Sequence, residues 1–83
     1  MARYHVVLKF KGGLERFSCN ASGDTHAEAV RNQLIKVRRT SRVLKGRDLV
    51  SATAREYVSG EIREFGAEID TGHSIVPKRR SAA

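Results

Sequence analysis

Apolar and polar positions alternate from the start of the chain. Tyr4, Val6, Leu8 and Phe10 are interleaved with His5, Val7, Lys9 and Lys11, the period of a half-buried strand. Gly12-Gly13 follows, a pair able to take the positive φ angles of a tight hairpin turn. A two-residue turn there sets Leu8 opposite Phe17, Val6 opposite Cys19 and Tyr4 opposite Ala21, with all six on one face. His5, Val7, Lys9, Lys11, Leu14, Arg16, Ser18 and Asn20 then share the other face. A slip of one residue would mix the two sets, so turn length and pattern together predict a hairpin over residues 3–21.

The pattern then changes period. Ser22-Gly23-Asp24 interrupts the strand, and Thr25-His26-Ala27-Glu28 has the spacing of a capping box. Ala27, Val30, Leu34 and Val37 recur at helical intervals and form a buried stripe. Thr40 and Ser41 weaken the helix and Val43-Leu44 fall off its apolar face, which predicts an end near Arg39. The bases of its last turn suit the negative end of the helix dipole.

Residues 48–70 fit two patterns. In a second hairpin turning at Ser59-Gly60, Val50, Ala52 and Ala54 share a face with Phe65, Ala67 and Ile69. Arg55 then opposes Glu64 and Glu56 opposes Arg63. In a helix capped by Asp48 and stopped at Gly60, Val50, Ala54, Tyr57 and Val58 share a face instead. The cross-strand matching favours the hairpin, and a helix would have to accommodate Gly60 and Gly66 at about 1 kcal/mol each. The expected architecture is α+β: a small antiparallel ββαββ sheet with one helix on one face and the other face open to solvent. The single domain spans residues 1–70. Residues 71–83, with Pro77 and Lys78-Arg79-Arg80, read as a flexible basic tail.

Composition narrows the setting. Eighty-three residues make one small domain with a thin core. The one cysteine, Cys19, has no internal disulfide partner. It falls on the expected buried face and reads as packing rather than as a nucleophile. No apolar run approaches the ~20 residues that span a bilayer, and charges at Arg3 and Lys9 interrupt any signal-peptide stretch. The expectation is a cytoplasmic protein with no membrane role.

Charge is distributed unevenly. The formal net charge is +7. Residues 25–47 carry seven bases and one acid, whereas residues 48–70 carry two bases and six acids. Between Glu28 and Asp48 lie Arg31, Lys36, Arg38, Arg39, Arg42, Lys45 and Arg47, with no acid among them. Such a cluster raises the local concentration of polyanions. With Asn32 added, it offers the cations and hydrogen-bond donors that phosphates need. The plain alternative is a solvated basic helix face. Lys9, Lys11 and Arg16 form a second candidate near the Gly12-Gly13 turn, on the open sheet face, where Arg55 and Tyr57 would join them. With Tyr4, Phe10, Phe17 and Phe65 assigned to the core, Tyr57 alone is left for stacking, which argues against base recognition on that face.

Other chemistry has little support. His5, His26 and His73 show no metal-site spacing, no glycine-rich phosphate loop is present, and no general base stands out. No enzyme, cofactor or metal is expected. The acids Glu56, Glu61, Glu64, Glu68 and Asp70 fit cross-strand pairing or a basic partner.

The stretch Ser22 to Ala29, Ser-Gly-Asp-Thr-His-Ala-Glu-Ala, entered from a hairpin, resembles the strand-to-helix junction of HicB-type antitoxins. The usual ribbon-helix-helix or helix-turn-helix appendage of that family is missing from the remainder. In size and layout the chain also looks similar to small phage inhibitors of defence complexes. The leading expectation is a non-enzymatic protein that contacts nucleic-acid phosphates, DNA or RNA, through the helix and the loop after it. A rival is an interaction module that inhibits or assembles with a nucleic-acid-handling protein complex, as anti-CRISPR-like proteins do. A small RNase toxin is a third reading. Val7, Leu14 and Ile62 on the open face would mark a modest homodimer contact.

Overall fold

A computed structural model of the chain describes residues 2–70. The tail expected over residues 71–83 lies outside them. Two strands, β1 (Ala2–Phe10) and β2 (Leu14–Gly23), lead into helix α1 (His26–Thr40). A four-residue helix α2 (Arg42–Lys45) and strands β3 (Leu49–Glu56) and β4 (Ile62–Gly66) complete the fold. The antiparallel sheet has the order β2-β1-β3-β4. α1 connects β2 to β3 and packs across β2, β1 and β3. The α+β architecture expected from the sequence is the architecture found, and residues 49–66 form the hairpin, not the helix.

Helix α1 starts where its capping chemistry puts it. The Thr25 hydroxyl accepts a hydrogen bond from the Glu28 amide at 3.1 Å, and the Glu28 carboxylate accepts one from the Asp24 amide at 2.6 Å. Val30, Leu34 and Val37 are buried as the stripe requires. Ala29 joins them, while Ala27 packs at the margin. The helix ends at Thr40, one residue past the expected Arg39. Ser41 there closes α1 through its amide to the Val37 carbonyl and caps α2 through its hydroxyl to the Leu44 amide. That restart turns Leu44 into the core although it is off the α1 stripe.

The first hairpin departs from expectation by one residue. Its loop is Lys11-Gly12-Gly13, with φ of 92° at Gly12 and 81° at Gly13, so Phe10 pairs with Leu14 and Leu8 with Arg16. Leu14 therefore packs against the core and Phe17 is displaced to the open face, opposite Val7 and 61% exposed. Cys19 is exposed as well, not buried. A bulge between Tyr4 and Val6 absorbs the extra residue, after which Tyr4 pairs with Ala21 as the alternation requires.

The second hairpin differs in register and in one core residue. Ala52 pairs with Phe65 and Arg55 with Ile62, a two-residue slip from the expected matching. A slip of two preserves the faces, so Ala52, Ala54 and Phe65 still share one side. The Arg55–Glu64 and Glu56–Arg63 pairs do not form. Arg63 instead binds Glu61, and Glu56 accepts from the Ser59 hydroxyl. Val50 is exposed, because a register shift between Lys9 and Phe10 places Leu49 in the core in its stead. Ala67 is exposed too, and Ile69 is buried from the helical turn at residues 68–70, not from a strand.

The core is one cluster formed by Tyr4, Val6, Leu8 and Phe10 of β1, Ala21 of β2, Ala29, Val30, Leu34 and Val37 of α1, Leu49, Ala52 and Ala54 of β3, and Leu44 and Ile69. Close approach of the helix to β2 depends on Gly23. A Cβ there would meet the Ala29 amide nitrogen at 2.7 Å and the Ala29 Cα at 3.1 Å, both backbone atoms. Gly23→Ala should therefore lower the unfolding free energy by about 1–3 kcal/mol in urea denaturation. Gly46→Ala, with open space around it and φ of −101°, should be neutral within about 0.5 kcal/mol. Equal effects of the two would show that the contact at Gly23 is not limiting.

Candidate functional site

The basic residues of α1 and α2 divide by what holds them. Arg38 is built into the structure. Its Nη1 lies 2.5 Å from the Asp70 carboxylate, its Nη2 donates to the Arg47 carbonyl at 2.8 Å, and its guanidinium sits 6.0 Å from the centre of the Phe10 ring. The two side chains of the ion pair are only 26% and 19% exposed, so it is shielded from solvent far more than a surface pair. Asn32 is also engaged, donating to the Ser22 carbonyl at 3.0 Å and tying α1 to the end of β2.

A groove of about 670 Å³ runs along one flank of α1. Arg31, Asn32, Arg38, Arg39 and Lys45 line it, together with Leu34, Ile35, Glu28 and Asp70. Arg31, Ile35 and Arg39 follow at intervals of four residues, which stacks them on one helix flank. Both acids in the groove are engaged, Asp70 by Arg38 and Glu28 by the Asp24 amide. Among the described residues no carboxylate lies within ion-pair distance of Arg31, Arg39 or Lys45. The Nε atoms of Arg31 and Arg38 are buried with no hydrogen-bond partner among the described residues, so any donor offered to the groove comes from the terminal guanidinium nitrogens.

Other sequence candidates fall beyond the groove. Lys36 and Arg42 are exposed and do not line it. Arg47 reaches over the first hairpin, its Nη1 3.4 Å from the Lys11 carbonyl. The Lys11 amide in turn binds the Asp48 carbonyl, so Lys11 and Arg47 form one basic end of the molecule next to the Arg38 clamp. Lys9 lies on the open face, 4.0 Å from Glu15. Arg16 is exposed on edge strand β2 opposite Leu8. The three bases expected around the turn thus point into separate surroundings and do not form one patch.

The opposite end of the sheet is acidic. Tyr4, Asp24, His26, Glu56, Glu61 and Arg63 line a cleft at the start of α1. The His26 ring stands edge-on to Tyr4 at 4.9 Å between centres and pairs through Nε2 with the Glu61 carbonyl at 3.0 Å. Burial, reinforced by the charges of Glu56, Asp24, Glu61 and Glu28, holds the Tyr4 hydroxyl above the ordinary tyrosine pKa. The hydrogen bond from Arg63, with its charge, holds Glu61 below the usual carboxylate range. The α1 N-terminal end is therefore the negative end of the helix surroundings and its last turns the positive end.

On the open sheet face, Val7 sits between Phe17 and Thr53, and Arg55 between His5 and Ile62. Tyr57 donates its hydroxyl to the Cys19 carbonyl at 2.6 Å, which fixes that ring beside the bulge. Phe17 is thus a second exposed aromatic on a face where the alternation left only Tyr57. Among the described residues no cluster of His, Cys, Asp and Glu could hold a metal ion, and no helix is long and apolar enough to cross a membrane.

The groove floor of Leu34 and Ile35 was not among the candidates. Its signal was present in the sequence as an isoleucine midway between Arg31 and Arg39 on a polar flank. No family model, curated protein or solved structure matches the chain. The likeness of residues 22–29 to an antitoxin junction is a likeness of local capping chemistry.

The clamp on Arg38 has a measurable consequence. Arg38→Ala should cost about 2 kcal/mol of unfolding free energy, in the range of hydrogen bonds to charged groups. Asp70→Asn, which keeps a neutral acceptor, should cost about half as much. Arg39→Ala should stay within about 0.5 kcal/mol. Guanidinium denaturation of the three variants separates the structural arginine from its exposed neighbour, and a comparable loss for Arg39→Ala would contradict the division.

Proposed function

We propose that the protein binds nucleic acid through phosphate contacts made along the α1 groove and the connection to β3. The observation that carries this reading is the set Arg31, Arg39 and Lys45 in one groove whose own acids are already engaged. Arg42 extends the tract beyond the groove, and Arg47 with Lys11 extends it toward the hairpin end. Arg38 contributes mainly by holding Asp70 and the Arg47 carbonyl in place. Several cations spread along one side match the repeating charge of a nucleic-acid backbone, which fixes orientation and supplies affinity without reading sequence. The reading assigns no reaction to the protein.

A second reading is favoured by one separate feature. Phe17 and Ile62 are 61% and 58% exposed on the open sheet face, with ions of both signs around them. That composition suits a protein partner, such as a nucleic-acid-handling complex, better than a polyanion. Recovery from native lysate with and without nuclease distinguishes the two. Nuclease-sensitive recovery of nucleic acid supports phosphate binding, and a stoichiometric protein that survives nuclease supports the interaction module.

Phosphate binding by about five side chains, Arg31, Arg39, Arg42, Lys45 and Arg47, should give a slope of log affinity against log salt near −4 to −5 on duplex DNA. The double variant Arg39→Ala/Lys45→Ala should reduce the size of that slope by about two and weaken binding evenly across sequences. Fluorescence anisotropy between 50 and 200 mM salt, roughly the range over which such contacts respond, is the measurement. A slope near zero would remove the proposal.

A further inference from the structure

Phosphate contacts alone leave the floor of the α1 groove unused. Leu34 is 3% exposed and Ile35 49% exposed, and both lie among the basic walls. The volume, about 670 Å³, is within the range of small-ligand sites, which are apolar within and carry a few placed polar groups. One wall is also rigid, since the planar guanidinium of Arg38 is clamped by Asp70 and the Arg47 carbonyl. The aliphatic Ile35 side chain, a fixed guanidinium plane and the cations Arg31, Arg39 and Lys45, which have no carboxylate partner among the described residues, combine apolar and anion-binding surface within one concavity.

A single nucleic-acid strand alternates these chemistries along its length, a flat base with an apolar face and then an anionic phosphate. In a duplex the base faces are stacked inside, and only base edges and phosphates are presented. We propose that the groove receives one unpaired base of a single strand against Ile35, with the adjoining phosphates on Arg39 and Lys45 and on Arg31. This rests on the nucleic-acid reading above and adds strand selectivity to it. An acidic peptide would match the walls equally well, but the basic tract continues past the groove to Arg42, Arg47 and Lys11. That continuation suits a regularly repeating anion.

The test uses the full chain and two labelled probes, a mixed-sequence oligonucleotide of about 12 nucleotides and its duplex, at the same salt concentration. Wild type should bind the single strand more tightly, roughly fivefold for covering the half-exposed Ile35 side chain. Ile35→Ala, which favours the helix and leaves the charges intact, should weaken single-strand binding about three- to fivefold. It should leave duplex binding and the salt slope unchanged. Phe17→Ala, on the opposite face, should change none of these.

Equal affinity for the two probes would overturn the base site, as would a loss caused by Phe17→Ala and not by Ile35→Ala. If the salt slope is steep in such a case, phosphate binding stands and only the base site falls. A flat slope removes both. An acidic peptide that binds the groove and is not displaced by either oligonucleotide would also overturn the proposal, in favour of a protein ligand.

Discussion

The seating of α1 on the sheet is the contact on which the rest of the molecule depends. Ala29, Val30, Leu34 and Val37 form one cluster with Val6, Leu8, Ala52 and Ala54. Each large apolar side chain removed from water contributes up to about 1.5–3 kcal/mol. Small residues decide how near the helix lies, because the Gly23 position admits no Cβ beside the Ala29 backbone. Once the stripe is buried, the orientation of α1 about its axis is set, and with it the flank that Arg31, Ile35 and Arg39 present. The basic flank is thus a by-product of core packing, since no loop has to hold those side chains in place.

Charge follows the same axis. The first turn of α1 faces an acidic cleft with Asp24, Glu56 and Glu61, and the last turn ends in Arg38 and Arg39 beside Lys45. Both arrangements complement the helix dipole. The two ends of one short helix therefore lie in oppositely charged surroundings. Arg38 belongs to the framework of that arrangement. Its guanidinium joins α1 to Asp70 and to the segment before β3, which keeps the groove walls at a fixed separation.

Much of this was legible from residue pattern. Period-two alternation in β1, the Thr25–Glu28 capping box and the Val30-Leu34-Val37 stripe each predict the element that forms, because each is a local rule acting on adjacent residues. The errors arose where one residue of loop length matters. Two consecutive glycines permit a two- or a three-residue turn, and the chain takes the longer one, which buries Leu14 and expels Phe17. The compensating bulge opposite His5 leaves no clear mark in the sequence. The register of β3 against β4 was off by two for a related reason. The loop closes through Glu56 and Glu61 backbone bonds, a choice that side-chain alternation does not constrain. The basic cluster was visible as charge, but its division was not. Only tertiary contact separates Arg38, held by Asp70 from a distant part of the chain, from Arg39 next to it.

Nucleic acid bound as proposed would lie on the α1 flank. Amide and side-chain chemical-shift mapping by NMR, during titration with a short single-stranded oligonucleotide, tests it most directly. Perturbations should concentrate at Arg31, Ile35, Arg39 and Lys45 and extend to Arg47. Shifts confined to Val7, Phe17 and Ile62 on the sheet, or no shifts at saturating oligonucleotide, would contradict it.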